Sequence, residues 1–75
     1  MRAYIIEYRL FEMGDDHIEQ VFTHISQVGY ASLEAAQKEI ERRPGNPVQV
    51  TPMLYQTPCC EEYAIHDISI NERRT

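Results

Sequence analysis

Cys59 and Cys60 are adjacent, set between Pro58 and the pair Glu61–Glu62, and carry the most nucleophilic side chains in the sequence. A thiolate there could act as a nucleophile or metal ligand if the fold brought His24 or His66 beside it. Two features oppose that chemistry. The carboxylates of Glu61 and Glu62 raise the pKa of a neighbouring thiol, which works against activation. Metal-binding cysteines are normally about two to four residues apart, and adjacent ones serve a tetrahedral ion poorly. Cys59 and Cys60 are therefore weak reactive-thiol candidates, expected to be small loop or buried residues.

A second cluster, Glu12, Asp15, Asp16, His17 and Glu19, crowds one short segment. Calcium-binding loops alternate their acids around a central glycine, whereas Gly14 precedes the acids here. A catalytic carboxylate pair needs an apolar pocket to separate its two pKa values, and the surrounding sequence offers none. The expected state is a solvated turn. His24 and His66 fall in strand-like segments where a sheet could make them neighbours, and a strand histidine is ordinarily a hydrogen-bonded structural residue. No serine or cysteine sits in a nucleophile-elbow context, and no zinc-finger spacing occurs. Three glycines in all leave no room for a backbone phosphate cradle. Nothing in these patterns assigns a catalytic residue, a metal or a cofactor, and the chain reads as a non-enzyme with no small-molecule substrate.

At 75 residues the chain is expected to form one domain spanning 1–75. Val, Ile, Leu and Phe supply 17 of those residues, enough for a folded core in a chain with 25% charged residues. A domain this short buries only roughly 60–65% of its unfolded surface, so a second copy or another partner is a usual source of added stability. Two cysteines cannot build a disulfide framework.

Twelve acidic residues against seven basic ones give a net charge of −5. The clustered cations are Arg42–Arg43 and Arg73–Arg74, at the ends of elements. Direct nucleic-acid binding, which depends on a basic face, is not expected on that ground. The opening segment Met1–Glu7 lacks the shape of a signal peptide. No stretch approaches the ~18 apolar residues of a membrane span. A cytoplasmic location is expected, without membrane contact.

The elements follow from periodicity. Residues 3–12 alternate, with Tyr4, Ile6, Tyr8 and Leu10 in one phase and Ala3, Ile5, Glu7, Arg9 and Phe11 in the other, which predicts a strand. Residues 18–28 predict a second, less regular strand, with Ile18, Phe22 and Val28 in one phase and Val21 and Ile25 in the other. The short connection through Gly14 makes the two a hairpin.

Ser32 is placed to cap a helix over 33–43, with Leu33, Ala36 and Ile40 as its inward stripe. Glu34–Lys38 and Glu39–Arg43 are i,i+4 pairs, and Pro44–Gly45 ends the element. Val48–Thr51 reads as a short strand that Pro52 confines to an edge, and Tyr55–Glu62 as a loop or broken hairpin. Tyr63–Ile70 predicts a last strand whose phase change at His66–Asp67 implies a bulge or burial on both faces. Residues 71–75 read as a frayed tail. Tyr4, Tyr8 and Tyr63 fit the helix-facing stripe, while Tyr30 and Tyr55 are placed where they could be exposed.

The order ββαβ or ββαββ predicts an α+β fold, an antiparallel sheet of three or four strands with one helix across one face. The other face should be polar, yet Ile5, Phe11, Val21 and Ile25 fall in the phase opposite the helix-facing stripe. An apolar patch of that kind marks an interface. The leading expectation is a protein–protein interaction module, homodimeric through the open face of its sheet. The alternative is an acidic, phage-type inhibitor presenting Glu12, Asp15, Asp16, Glu19, Glu61 and Glu62 to the basic nucleic-acid-binding groove of a host defence or nucleic-acid-processing complex.

Overall fold

The computed structural model describes residues 2–69. Five strands and one helix follow in the order β1 (Arg2–Met13), β2 (Ile18–Ile25), α1 (Leu33–Glu41), β3 (Val48–Thr51), β4 (Leu54–Gln56) and β5 (Glu61–Ser69). The strands form one open antiparallel sheet in the order β2-β1-β5-β4-β3, so β1 and β5 are central and β2 and β3 are the edges. The α+β class and the single helix agree with expectation. The strand count does not: five strands replace three or four. Leu54–Gln56 pairs with both β3 and β5, and of the two readings of 55–62, loop or broken hairpin, the segment takes the hairpin, turning at Pro58–Cys60. Ile70 and the tail 71–75 lie outside the described residues.

The helix begins where the sequence places it. Ser32 adopts an extended backbone and its side-chain oxygen accepts a hydrogen bond from the Ala35 amide at 3.1 Å. It ends slightly early, at Glu41, with Arg42 as its C-cap. Gly45, at φ 99°, and Asn46, at φ 57°, then turn the chain toward β3. Glycine takes that left-handed geometry without steric cost, and asparagine tolerates it.

Ala36 and Ile40 are fully buried against Ile6 of β1, Tyr55 of β4 and Tyr63 and Ile65 of β5, with Tyr4, Tyr8, Tyr30, Leu33 and Met53 packed around them. The Tyr4–Tyr8 stripe is thus the helix-facing one, as expected. Tyr55, placed by the sequence where either exposure or core packing was open to it, is 1% exposed. Its ring fills the core beneath the helix, and its hydroxyl donates to Glu41 Oε2 at 2.8 Å. Burial and that carboxylate together push the phenol up to about 12.

The phase changes resolve differently from expectation. β5 pairs with β1 in unbroken register from Leu10↔Glu61 to Arg2↔Ser69, so no bulge interrupts it. Tyr63 and Ile65 face the helix, and Ile68 simply faces the other way. The bulge lies in β2. Leu10 pairs with Phe22 and Phe11 with Gln20, which leaves Val21 as the extra residue. Ile18 and Ile25 therefore share the open face, and Phe22 lies on the helix side, contrary to the grouping of Ile18 with Phe22.

Candidate interaction surface

One α-helix is about 10 Å across and strands lie about 4.8 Å apart, so a single helix covers about two strands. Here those are chiefly β1 and β5, with Tyr55 of β4 also beneath the helix. The edges lie beyond its cover, and every residue of β2 and of β3 is exposed.

Along the open face, register fixes the neighbours. At the level of Arg9 the residues run Thr23, Arg9, Glu62, Gln56 and Val48 from β2 to β3. At the level of Glu7 they run Ile25, Glu7, Ala64, Leu54 and Thr51. Polar side chains stitch the middle of this face. Arg9 donates to Glu62 Oε1 at 2.9 Å and to Glu7 Oε1 at 3.0 Å, and Gln56 donates to Glu62 Oε2 at 2.8 Å. His66 Nε2 lies 2.7 Å from Glu7 Oε1. Hydrogen bonding by Arg9, then by His66, holds the Glu7 carboxyl down at about 2.

Of the four residues expected to form an interface, Ile5 and Phe11 are half-buried on this face beside the polar network. Ile25 lies 49% exposed on the same face, at the β2 edge, and Val21 is the bulge residue. The apolar exposure extends beyond Val21 and Ile25 to Met13, Ile18, Phe22 and Val28, which the sequence did not single out as interface residues. Met13, Ile18, Val21, Phe22, Ile25 and Val28 are among the nine exposed large hydrophobic side chains of the described residues, and all lie on the β1–β2 arm or just after it. The Phe22 ring meets Tyr8 edge-on, with centroids 6.1 Å apart, and is still 51% exposed. The usable sequence signal was an eight-residue strand with neither proline nor lysine and apolar residues in both phases.

The acidic residues divide into two groups. Glu12, Asp15, Asp16 and Glu19 are exposed at the β1–β2 hairpin tip, as a solvated turn should be. His17 bridges Asp16 at 2.9 Å and Glu19 at 3.1 Å, and those carboxylates raise its pKa, Asp16 the more. Glu61 and Glu62 are half-buried and engaged inside the fold. Glu61 Oε2 accepts from the Tyr8 hydroxyl at 2.6 Å, which, with burial, pushes that phenol up to about 12. Arg43 sits 5.8 Å from the centroid of the Tyr63 ring, a cation–π contact that ties the end of the helix to β5.

Cys59 and Cys60 are exposed at the β4–β5 turn, with their sulfurs 3.4 Å apart. They border a shallow open depression of about 350 Å³ shared with Phe11, Met13, Ile18 and Thr57. His24 and His66 do not approach each other, since β1 separates their strands and register puts His24 on the helix side and His66 on the open face. Among the described residues no group of three His, Cys, Asp or Glu side chains could hold a metal ion. No helix among the described residues is long and apolar enough to cross a membrane. Comparison with protein-family models, curated proteins and solved structures gives no match.

Proposed function

We propose that this chain is a non-enzymatic protein-interaction module of the cytoplasm, and that its working surface is the outer strand β2 with the hairpin that carries it. The observation that carries the reading is the concentration of exposed apolar side chains on that arm: Ile18, Val21, Phe22 and Ile25 in one strand, with Met13 and Val28 beside them. Scattered apolar residues are normal on a surface, whereas a concentrated set on an edge strand is suited to docking. The open face fits the role less well, because charged groups occupy its centre and would have to be desolvated.

The test is a photoactivated crosslinking residue placed at position 22 and, as a control, at Val48 on the opposite edge, in cells producing the full chain. The reading expects discrete adducts of defined mass from position 22 and none from position 48. Equal adducts at both positions, or none at either, would remove it.

A second reading is an acidic, phage-type inhibitor that occupies a basic nucleic-acid-binding groove. It is favoured by the exposure of Glu12, Asp15, Asp16 and Glu19 at the end of the hairpin. It requires that the partner captured at position 22 be basic and that its binding weaken steeply with salt. Salt-insensitive binding would count against it.

A further inference from the structure

β2 and β3 are both sheet edges, and they are guarded differently. β3 is four residues long and lies between Pro47 and Pro52. β2 is eight residues long, carries neither proline nor lysine, and presents a backbone edge that no other described strand pairs with. Such an edge is a template for another strand.

The sequence of β2 is complementary to itself when reversed. Antiparallel pairing of Ile18–Ile25 with a second copy about its midpoint places Ile18 opposite the partner's Ile25 and Glu19 opposite the partner's His24. It places Gln20 opposite the partner's Thr23, with Val21 and Phe22 at the centre. Every pair is favourable in kind: aliphatic with aliphatic, acid with imidazole, amide with hydroxyl, and an apolar centre.

Geometry sets a stricter condition. Two antiparallel copies of one strand are related by a two-fold axis perpendicular to the sheet, so each pair must come from one face. In a regular strand, residues an odd number of positions apart lie on opposite faces, and all of these pairs are so separated. The bulge at Val21 supplies the missing step. Ile18 and Gln20 pair with Met13 and Phe11, in the same phase as Arg9 and Glu7, which pair with Thr23 and Ile25. Glu19 pairs with Glu12 and His24 with Tyr8, both in the other phase. Gln20 Nε2 donates to Thr23 Oγ1 at 2.6 Å, direct evidence that the two side chains share a face across the bulge. Glu19 also faces Glu12 within its own hairpin, a like-charged cross-strand pair that His17, 3.1 Å from Glu19 Oε1, relieves in part and that a second imidazole on the outer flank would relieve further.

We propose that the partner of β2 is the β2 strand of a second copy of this chain, joining two five-stranded sheets edge to edge into one continuous antiparallel sheet. This deepens the interaction-module reading and rests on it. Because the contact is isologous, it consumes the edge on both copies and stops at two chains.

The experiment is light scattering after size exclusion on the purified full chain, across a dilution series with reductant present, for the wild type, Glu19→Lys, His24→Glu and the double variant. The wild type should be a dimer that dissociates on dilution. Each single reversal should weaken the dimer roughly tenfold: His24→Glu sets carboxylate against carboxylate at two symmetric positions, and Glu19→Lys removes the carboxylate that accepts from the partner's imidazole and puts a donor in its place. The double variant should restore association to within about twofold. Far-UV circular dichroism and melting of each variant separate loss of association from loss of fold. The new ammonium of Glu19→Lys would face Glu12 favourably within the hairpin, so that variant should stay folded.

A monomer at every concentration, a dimer indifferent to both single reversals, failure of the folded double variant to recover, or growth beyond two chains would each overturn the proposal. The interaction-module reading would survive these results if crosslinks from position 22 still led to a different protein, and would fall with the crosslinks alone.

Discussion

Glu7 of β1 and His66 of β5 meet across the open face at 2.7 Å, and Arg9 holds the same Glu7 oxygen at 3.0 Å. The face that the helix leaves uncovered is therefore stabilised at its centre by a polar network, in which Arg9 also pairs across strands with Glu62 of β5 at 2.9 Å. Apolar residues remain toward its ends, Ile5 and Ile68 at one and Phe11, Met13 and Ile18 at the other. A sheet with one covered face can stay hydrated on the other by this means.

The Glu7 network makes stability acid-sensitive in a defined window. The Glu7 carboxyl sits near 2 against an ordinary value of 4.5, so the folded state favours its ionised form. That contribution is complete above about pH 4.5 and is lost as pH falls toward 2. Solvent lies close to this half-buried network and screens it, so its size is roughly 1–2 kcal/mol. Urea midpoints between pH 6 and pH 2 should fall for the wild type and fall less for Glu7→Gln. Parallel curves would refute the assignment.

Core and surface should separate cleanly in mutants. Ile40 is fully buried beneath the helix, and Ile40→Ala removes packing that little else replaces, at a cost of about 2–4 kcal/mol. Phe22 is about as large, yet it is 51% exposed, and Phe22→Ala should change monomer stability by less than about 1 kcal/mol. Chemical denaturation under dilute, monomeric conditions makes the comparison. A Phe22 cost equal to that of Ile40 would mean the β1–β2 arm is part of the core.

The legible parts of this fold are those set by local pattern. Ser32 with Leu33, Ala36 and Ile40 marks a helix by capping and by a 3.6-residue stripe, and Tyr4, Ile6 and Tyr8 mark a strand by strict alternation. Leu54–Gln56 was not legible because three residues between Pro52 and Pro58 carry no measurable period. Its strand character comes from pairing on both sides. The facing of β2 was misread for a related reason. One inserted residue reverses the phase of everything beyond it, and no local signal separates Val21 as a bulge from Val21 as an ordinary strand residue. The exposed apolar arm was hidden by the strand count, since with three strands the same helix would have covered much more of the sheet.

The exposed cysteines should be slow nucleophiles. The neighbouring Cys59 thiol at 3.4 Å raises the Cys60 pKa above its ordinary value, and the Glu61 charge adds to that. Alkylation of Cys60 by iodoacetamide at pH 7 should therefore run slower in the folded chain than in the chain unfolded by urea, and speed up with rising pH. Cys59→Ala removes the leading cause and should accelerate it. Both thiols are exposed at a turn, so Cys60→Ser should leave the melting temperature unchanged. Faster alkylation in the folded state would reopen a reactive role.

Deleting Val21 tests the bulge itself. The deletion removes the residue that has no partner on β1, so Leu10–Phe22 and Phe11–Gln20 become consecutive pairs in a regular ladder. Register on either side is held by contacts the deletion leaves alone. Gly14 donates to the His17 carbonyl at 2.6 Å at the turn, and Tyr4 and Tyr30 exchange backbone hydrogen bonds at 2.9 and 2.8 Å at the far end. The deletion variant should keep the cross-strand contacts Met13–Ile18 and Tyr8–His24 and change stability by less than about 1 kcal/mol, as removing an irregularity from an exposed edge does. Cross-strand NMR contacts between β1 and β2 decide the matter. If Glu19 instead moved opposite Phe11, the segment 18–20 would have slipped by one position. Ile18 and Gln20 would then turn to the helix side, away from Thr23 and Ile25, and the self-complementary edge would be lost with them.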